Sequence, residues 1–322
     1  MPTRRTPRWP RPLVINPQSS PHKQTFILLH DRGSNATDFG PAMLFRPFHR
    51  SGHANTDRQP QYHRQYLTAQ STSTLHTAFP HAKFVFPTAS MLRAATFTES
   101  VINQWFDTHW PLVLPDATDD NDHNSRNSLD EETRKWRSEL PIPGLRDTAR
   151  YIHELIKAEI EILNGDAGSV IIGGFSQGSA ASLISALLWD GDLLGGWIGL
   201  SGWMPFAEEV MDATQQDDED GEESTPLEKG TALLRVTLNM PASSQNDDAT
   251  DQSSLNGIPL FLAHGSEDKT VHLTLGRQMV DCLESLGWSN HNIQWKEYSG
   301  LTHTYSESIL SDMVEFLTER LV

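Results

Sequence analysis

Gly174-Phe175-Ser176-Gln177-Gly178 has the spacing of a nucleophile carried on a sharp strand-to-helix turn. Val170-Ile171-Ile172-Gly173 before it reads as a buried strand, and the small, apolar run 179–188 after it reads as a buried helix. A serine at the tip of such a turn takes a strained backbone, so its neighbours must be small for strand and helix to pass closely. Gly174 and Gly178 supply that room, and Gly173 adds to it. The turn also aims the N–H of Gln177 and the positive end of a helix at any oxyanion forming on an attacked carbonyl. The chemistry implied is acyl transfer through a serine.

A serine hydroxyl is a weak nucleophile and needs a base that is itself oriented by an acid. On this kind of turn the chain order is serine, then acid, then histidine. Gly265-Ser266-Glu267-Asp268 lies just beyond the carboxyl end of a predicted strand, Pro259–His264, and both Glu267 and Asp268 qualify by type. Three histidines follow: His272, His291 and His303. His303, in Ser299-Gly300-Leu301-Thr302-His303, sits after strand Asn292–Tyr298 and before the last helix, where catalytic groups of open α/β sheets collect. His272 at a helix start and His291 at the opposite sheet edge read as solvated surface residues. A second oxyanion donor is expected from His30-Asp31-Arg32-Gly33-Ser34, with the N–H of Arg32 the natural choice. His30 precedes the nucleophile in sequence and reads as a brace of that loop.

The elements that must position these groups alternate. Thr25–His30 and Lys83–Phe86 read as strands, and 145–163 has a helical apolar period ended by Asn164-Gly165. Strand Ser169–Gly174, helix Gln177 to about Trp189 and strand Trp197–Ser201 come next. After an interruption follow strand Pro259–His264, helix His272–Leu286, strand Asn292–Tyr298 and helix Ser306–Leu321. This is the pattern of an α/β fold with a mostly parallel sheet covered on both faces. Residues 49–74, 116–139 and 207–256 break it and are expected to be unordered insertions or a lid, 231–240 being the one plausible lid helix. Residues 1–22, Arg- and Pro-rich, are expected to be a flexible lead-in to a single domain over 23–322.

The net charge of −17 lies entirely in two of those insertions. Segment 116–132 has seven acids against Arg126, and segment 208–251 has thirteen against Lys229 and Arg235. The remaining body is neutral and lacks the basic stripe that nucleic-acid binding requires. No apolar run approaches the roughly 20 residues of a membrane span. One cysteine, Cys282, excludes a disulfide framework and a Cys-based zinc cluster. The lead-in has too many prolines for a transit helix and no continuous apolar region for secretion, so a cytoplasmic location is expected.

Six ordered motifs resemble the phospholipase/carboxylesterase family of α/β-hydrolases, which includes acyl-protein thioesterases. They are the strand and loop Phe26–Gly33, Phe86-Pro87-Thr88-Ala89 with Gln104-Trp105-Phe106-Asp107, Gly174–Gly178, Leu200-Ser201-Gly202-Trp203, His264–Asp268, and Gly300-Leu301-Thr302-His303. The resemblance implies an α/β-hydrolase fold with Ser176 as nucleophile, Asp268 as orienting acid and His303 as base. It also implies the amides of Arg32 and Gln177 as the oxyanion hole, Trp105 and Trp203 near the acyl-binding region, and no metal or organic cofactor. Its substrates would be esters or thioesters, including S-acylated proteins and lysophospholipids. Asp31 stands where the family pattern has glycine, and with the acidic insertions it motivates a second reading: a hydrolase fold with impaired catalysis that binds a partner.

Overall fold

The computed structural model describes residues 9–49, 72–95, 100–109, 112, 131–216, 224–243 and 255–321. Its first strand, β1 (Leu13–Ile15), is followed by β2 (Gln24–Leu29), α1 (Ala36–Leu44), β3 (Phe48–His49), β4 (Thr72–Ser73) and α2 (Leu75–Ala78). Next come β5 (Ala82–Phe86), β6 (Met91–Arg93), β7 (Val101–Asn103), α3 (Glu131–Glu139), α4 (Pro141–Ile162), β8 (Val170–Phe175) and α5 (Gln177–Leu187). The rest is β9 (Gly196–Leu200), α6 (Ala207–Thr214), α7 (Pro226–Thr237), β10 (Leu260–Gly265), α8 (Leu273–Ser285), β11 (Ile293–Tyr298) and α9 (Glu307–Leu321).

Seven strands form one sheet in the order β1-β5-β2-β8-β9-β10-β11, parallel throughout except for the antiparallel edge β1. Helices cover both faces, which is why β8 and β9 are buried along their whole length and read as continuous apolar runs. One core layer joins the sheet to α4, α5, α6, α7 and α8, and the other joins it to α1, α2 and α9. This is the α/β-hydrolase arrangement. Strands β2, β8, β10 and β11 all end at the same edge of the sheet, and each of the four is followed by a loop bearing a candidate site residue.

The lead-in differs from expectation over its described part. Leu13–Ile15 pairs antiparallel with Phe84–Phe86, and the Trp9 ring stacks on Tyr151 with centroids 4.4 Å apart. Prolines flank this strand, as an edge position allows. The insertions also differ where they are described. Residues 131–139, 207–214 and 226–237 are helical, and α7 begins earlier than expected because Thr225 and Glu228 form a reciprocal cap around Pro226. Arg235 on α7 is buried and donates to Leu188 O, Pro241 O and the Asp190 carboxylate, so this helix is fastened to the end of α5. The remaining insertion residues, and residues 1–8 of the lead-in, lie outside the described residues. Among the described residues, no helix is long and apolar enough to cross a membrane.

Helix α4 carries one buried acid on its apolar face. Glu159 receives Lys83 Nζ from β5 at 2.6 Å and Thr25 Oγ1 from β2 at 3.0 Å, tying the helix to two strands. Removing one partner of a buried pair leaves an uncompensated charge, so Lys83→Met should cost about 3 kcal/mol in urea unfolding. Adding Glu159→Leu to that variant should recover most of the loss; a double variant no more stable than the single one would refute this account.

Candidate active site

Ser176 follows the last residue of β8 and precedes α5, with φ 56° and ψ −122°. A non-glycine residue in that region is strained and persists only where its surroundings over-determine it. The surroundings are backbone. A β-carbon on Gly178 would lie 2.5 Å from His30 O, and one on Gly174 would lie 2.6 Å from the Gly178 carbonyl carbon. Glycine at both positions therefore lets the turn press directly on the loop after β2. Ser176 is 4% exposed, and its N–H is held by Leu200 O at 2.8 Å.

Three side chains distant in sequence meet here. His303 Nε2 lies 2.9 Å from Ser176 Oγ, and His303 Nδ1 lies 2.7 Å from Asp268 Oδ2. Asp268 Oδ1 accepts from the N–H groups of Thr270 at 2.8 Å and Val271 at 2.9 Å. Burial raises the Asp268 pKa, but the nearby His264 ring, the hydrogen bond and charge of His303 and the Val271 amide together outweigh it and hold the carboxyl well below its ordinary range. Of the two acids that qualified by type, Glu267 is exposed and Asp268 is buried. His272 caps α8 and His291 is exposed. The acid and histidine loops are joined to each other: Glu267 N–H donates to Leu301 O at 3.0 Å and Gly300 N–H to Ser266 Oγ at 2.9 Å.

The loop after β2 is held by His30, which is fully buried. Its Nδ1–H donates to Asp31 O at 2.6 Å and its Nε2 accepts from Ala89 N–H at 3.0 Å, an arrangement that requires the neutral ring. Burial, the largest influence on His30, lowers its pKa and favours that form. Asp31 keeps an ordinary negative φ, so the β-carbon standing in place of glycine introduces no backbone strain. As the first residue of α5, Gln177 has no intrahelical acceptor for its N–H.

Residues 103–106 join the two candidate oxyanion loops, a role the sequence did not reveal. Gly33 N–H donates to Asn103 O at 2.8 Å, Arg32 Nε to Gln104 Oε1 at 2.9 Å and Trp105 Nε1 to His30 O at 2.8 Å. On the other side, the Gln177 side chain accepts from Trp105 N–H at 3.0 Å and donates to Phe106 O at 2.8 Å. Trp105 is 0% exposed, so it braces the site from behind and presents no surface to an acyl chain, contrary to expectation. Trp203 is also buried and packs edge-on against Phe106, with centroids 5.9 Å apart. Among the described residues, no group of three or more His, Cys, Asp or Glu side chains converges as a metal site would need.

The depressed Asp268 pKa makes a sign-defined prediction. A carboxylate whose folded pKa lies below its unfolded value of about 3.9 stabilises the fold above that pH, and the contribution is lost as pH falls through the folded value. The unfolding free-energy difference between the wild type and Asp268→Asn should thus be constant above about pH 5 and narrow below about pH 4. A gap that widens on acidification would contradict the assignment.

A sequence model described as Phospholipase/Carboxylesterase matches residues 129–219, which include the serine turn. Acyl-protein thioesterase 1 of Yarrowia lipolytica is 25% identical over 313 residues, 97% of this chain and 98% of the relative. Acyl-protein thioesterase 1 of Debaryomyces hansenii is 26% identical over 238 residues, 74% and 76% of the two chains. The crystal structure of Zea mays acyl-protein thioesterase 2 superposes with a TM-score of 0.57 at 21% identity, covering 97% of this chain and 99% of that one. That of esterase PE8 gives 0.57 at 16% identity, covering 96% and 98%. The chain is thus similar over residues 129–219 to the phospholipase/carboxylesterase family, and its fold is that of the α/β-hydrolases.

Proposed function

We propose that the chain is a serine hydrolase that cleaves carboxylic ester or thioester bonds through an acyl-serine intermediate. The observation that carries this reading is the unbroken hydrogen-bond line from Asp268 through His303 to the strained Ser176. Asp268 holds the imidazole so that Nδ1 bears a proton and Nε2 faces the serine hydroxyl. Ser176 Oγ attacks the acyl carbon as His303 Nε2 takes its proton. The tetrahedral oxyanion is met by the N–H groups of Arg32 and Gln177, whose loops are held against each other through residues 103–106. Collapse expels the alcohol or thiol, which leaves with the proton from His303. Water, deprotonated by the same ring, then attacks the acyl-serine and releases the acid.

The relatives named acyl-protein thioesterase support S-acylated proteins as the substrate class, with lysophospholipids and simple esters as the alternatives that share an acyl carbonyl. A p-nitrophenyl ester series of increasing chain length, run beside a palmitoylated peptide, separates them: a protein thioesterase should favour the long chain and the peptide.

Ser176→Ala should lower kcat/KM on the best ester by at least about 10³-fold, and His303→Ala should act comparably. A fluorophosphonate should label the wild type stoichiometrically and the Ser176→Ala protein not at all. Full esterase activity in Ser176→Ala would end this reading, and a wild type that resists labelling would favour a binding-only protein.

A further inference from the structure

His264, the last residue but one of β10, is 0% exposed and its ring lies beside the Asp268 carboxylate. Its Nε2 is 2.8 Å from Val271 O and 3.5 Å from Asp268 Oδ2, the oxygen that also meets His303. A carbonyl oxygen only accepts, so Nε2 must carry the proton. Nδ1 is buried with no hydrogen-bond partner. It faces the backbone of Gly276 on α8, where an added β-carbon would stand only 2.6 Å away. A donor at Nδ1 would have no acceptor, so the ring's one hydrogen bond is the one Nε2 gives to Val271 O. Trp295 packs beside the ring with centroids 6.1 Å apart.

The consequence falls on one atom. Asp268 Oδ1 is held by two amides of the loop that His264 closes, whereas Oδ2 is bonded by His303, which must move protons during turnover, and stands 3.5 Å from His264 Nε2. The bond to Val271 O also closes the loop 265–271 onto the strand end, so loop and carboxylate share one anchor.

We infer that His264 is a positioning residue of the triad: its Nε2–H, given to Val271 O, closes the loop whose amides hold Asp268, and its ring stands 3.5 Å from Asp268 Oδ2, so that the carboxylate stays in register with His303. The inference rests on the hydrolase reading above, with a readout that does not depend on turnover. His264→Leu removes the donor, and His264→Gln restores an N–H at nearly the same reach. His264→Leu should lower kcat about tenfold with KM little changed, the size of one buried hydrogen bond left unmade at Val271 O, and His264→Gln should regain most of it. In an Asp268→Asn background His264→Leu should cost no further activity, because a residue acting through a partner has no effect once that partner is altered. Equal losses in both backgrounds would mean a merely structural role and would overturn the inference. Should His264→Leu fail to fold, Gly276→Ala tests the same contact by pressing on Nδ1, and unchanged kcat in that variant would overturn it. The downfield proton resonance of the His303–Asp268 hydrogen bond should shift or vanish in His264→Leu or Gly276→Ala and persist in His264→Gln. That signal decides the matter even in a protein showing no Ser176-dependent turnover, a result that would sink the hydrolase reading alone. A resonance unmoved in every variant refutes the role of His264.

Discussion

The direct contact between the backbone of the serine turn and the backbone of the loop after β2 is the constraint from which the site follows. At Gly174 and Gly178 there is no side chain between them, and a β-carbon at Gly178 would overlap both Leu29 O and His30 O. Two loops that touch through their main chains cannot adjust to each other as two side chains can. The left-handed φ of Ser176 is therefore imposed by strand β8 on one side and helix α5 on the other. Strain of this kind costs of order 1–3 kcal/mol, and the fully buried elements around it supply the means to hold it. The result is a hydroxyl fixed in one direction, toward which the histidine must be brought.

The histidine is brought by a different device. Loops 265–271 and 299–303 are joined by amide-to-carbonyl and amide-to-hydroxyl bonds before any triad contact is counted. Asp268 and His303 thus arrive as one unit, set by the parallel pairing of β10 with β11. Residues 103–106 do the same for the candidate oxyanion loops. Pre-formed geometry matters because hydrogen-bond donors aimed at developing charge assist only when they need no rearrangement during reaction.

At the periphery, side-chain chemistry tolerates what the core would not. Arg235 is buried at the end of α5 by giving its donors to two carbonyls and a carboxylate, and Glu159 is buried by accepting from Lys83 and Thr25. Arg235 fastens α7 to the end of α5, and Glu159 fastens α4 to the sheet. Trp9 does likewise for the N-terminal segment by stacking on Tyr151.

The sequence by itself determined what local chemistry encodes. Continuous apolar runs named the buried strands, glycine spacing named the serine turn, and the order of serine, acid and histidine along the chain named Ser176 and His303. Element ends moved by only a residue or two for most elements, since caps and breakers are local signals. A three-residue edge strand among prolines, Leu13–Ile15, carries too few residues to show a period, and it forms only because Phe84–Phe86 offers it an unpaired edge. The motif resemblance implied Asp268, and the tertiary structure sets it apart from Glu267. Residue type made them equal, but the turn after β10 exposes one and buries the other. His264, Gln104 and the side chain of Gln177 gained their roles in the same way. Their partners lie in other loops, and the distance between two loops is set by how strands pair and helices pack, which no single stretch of sequence contains.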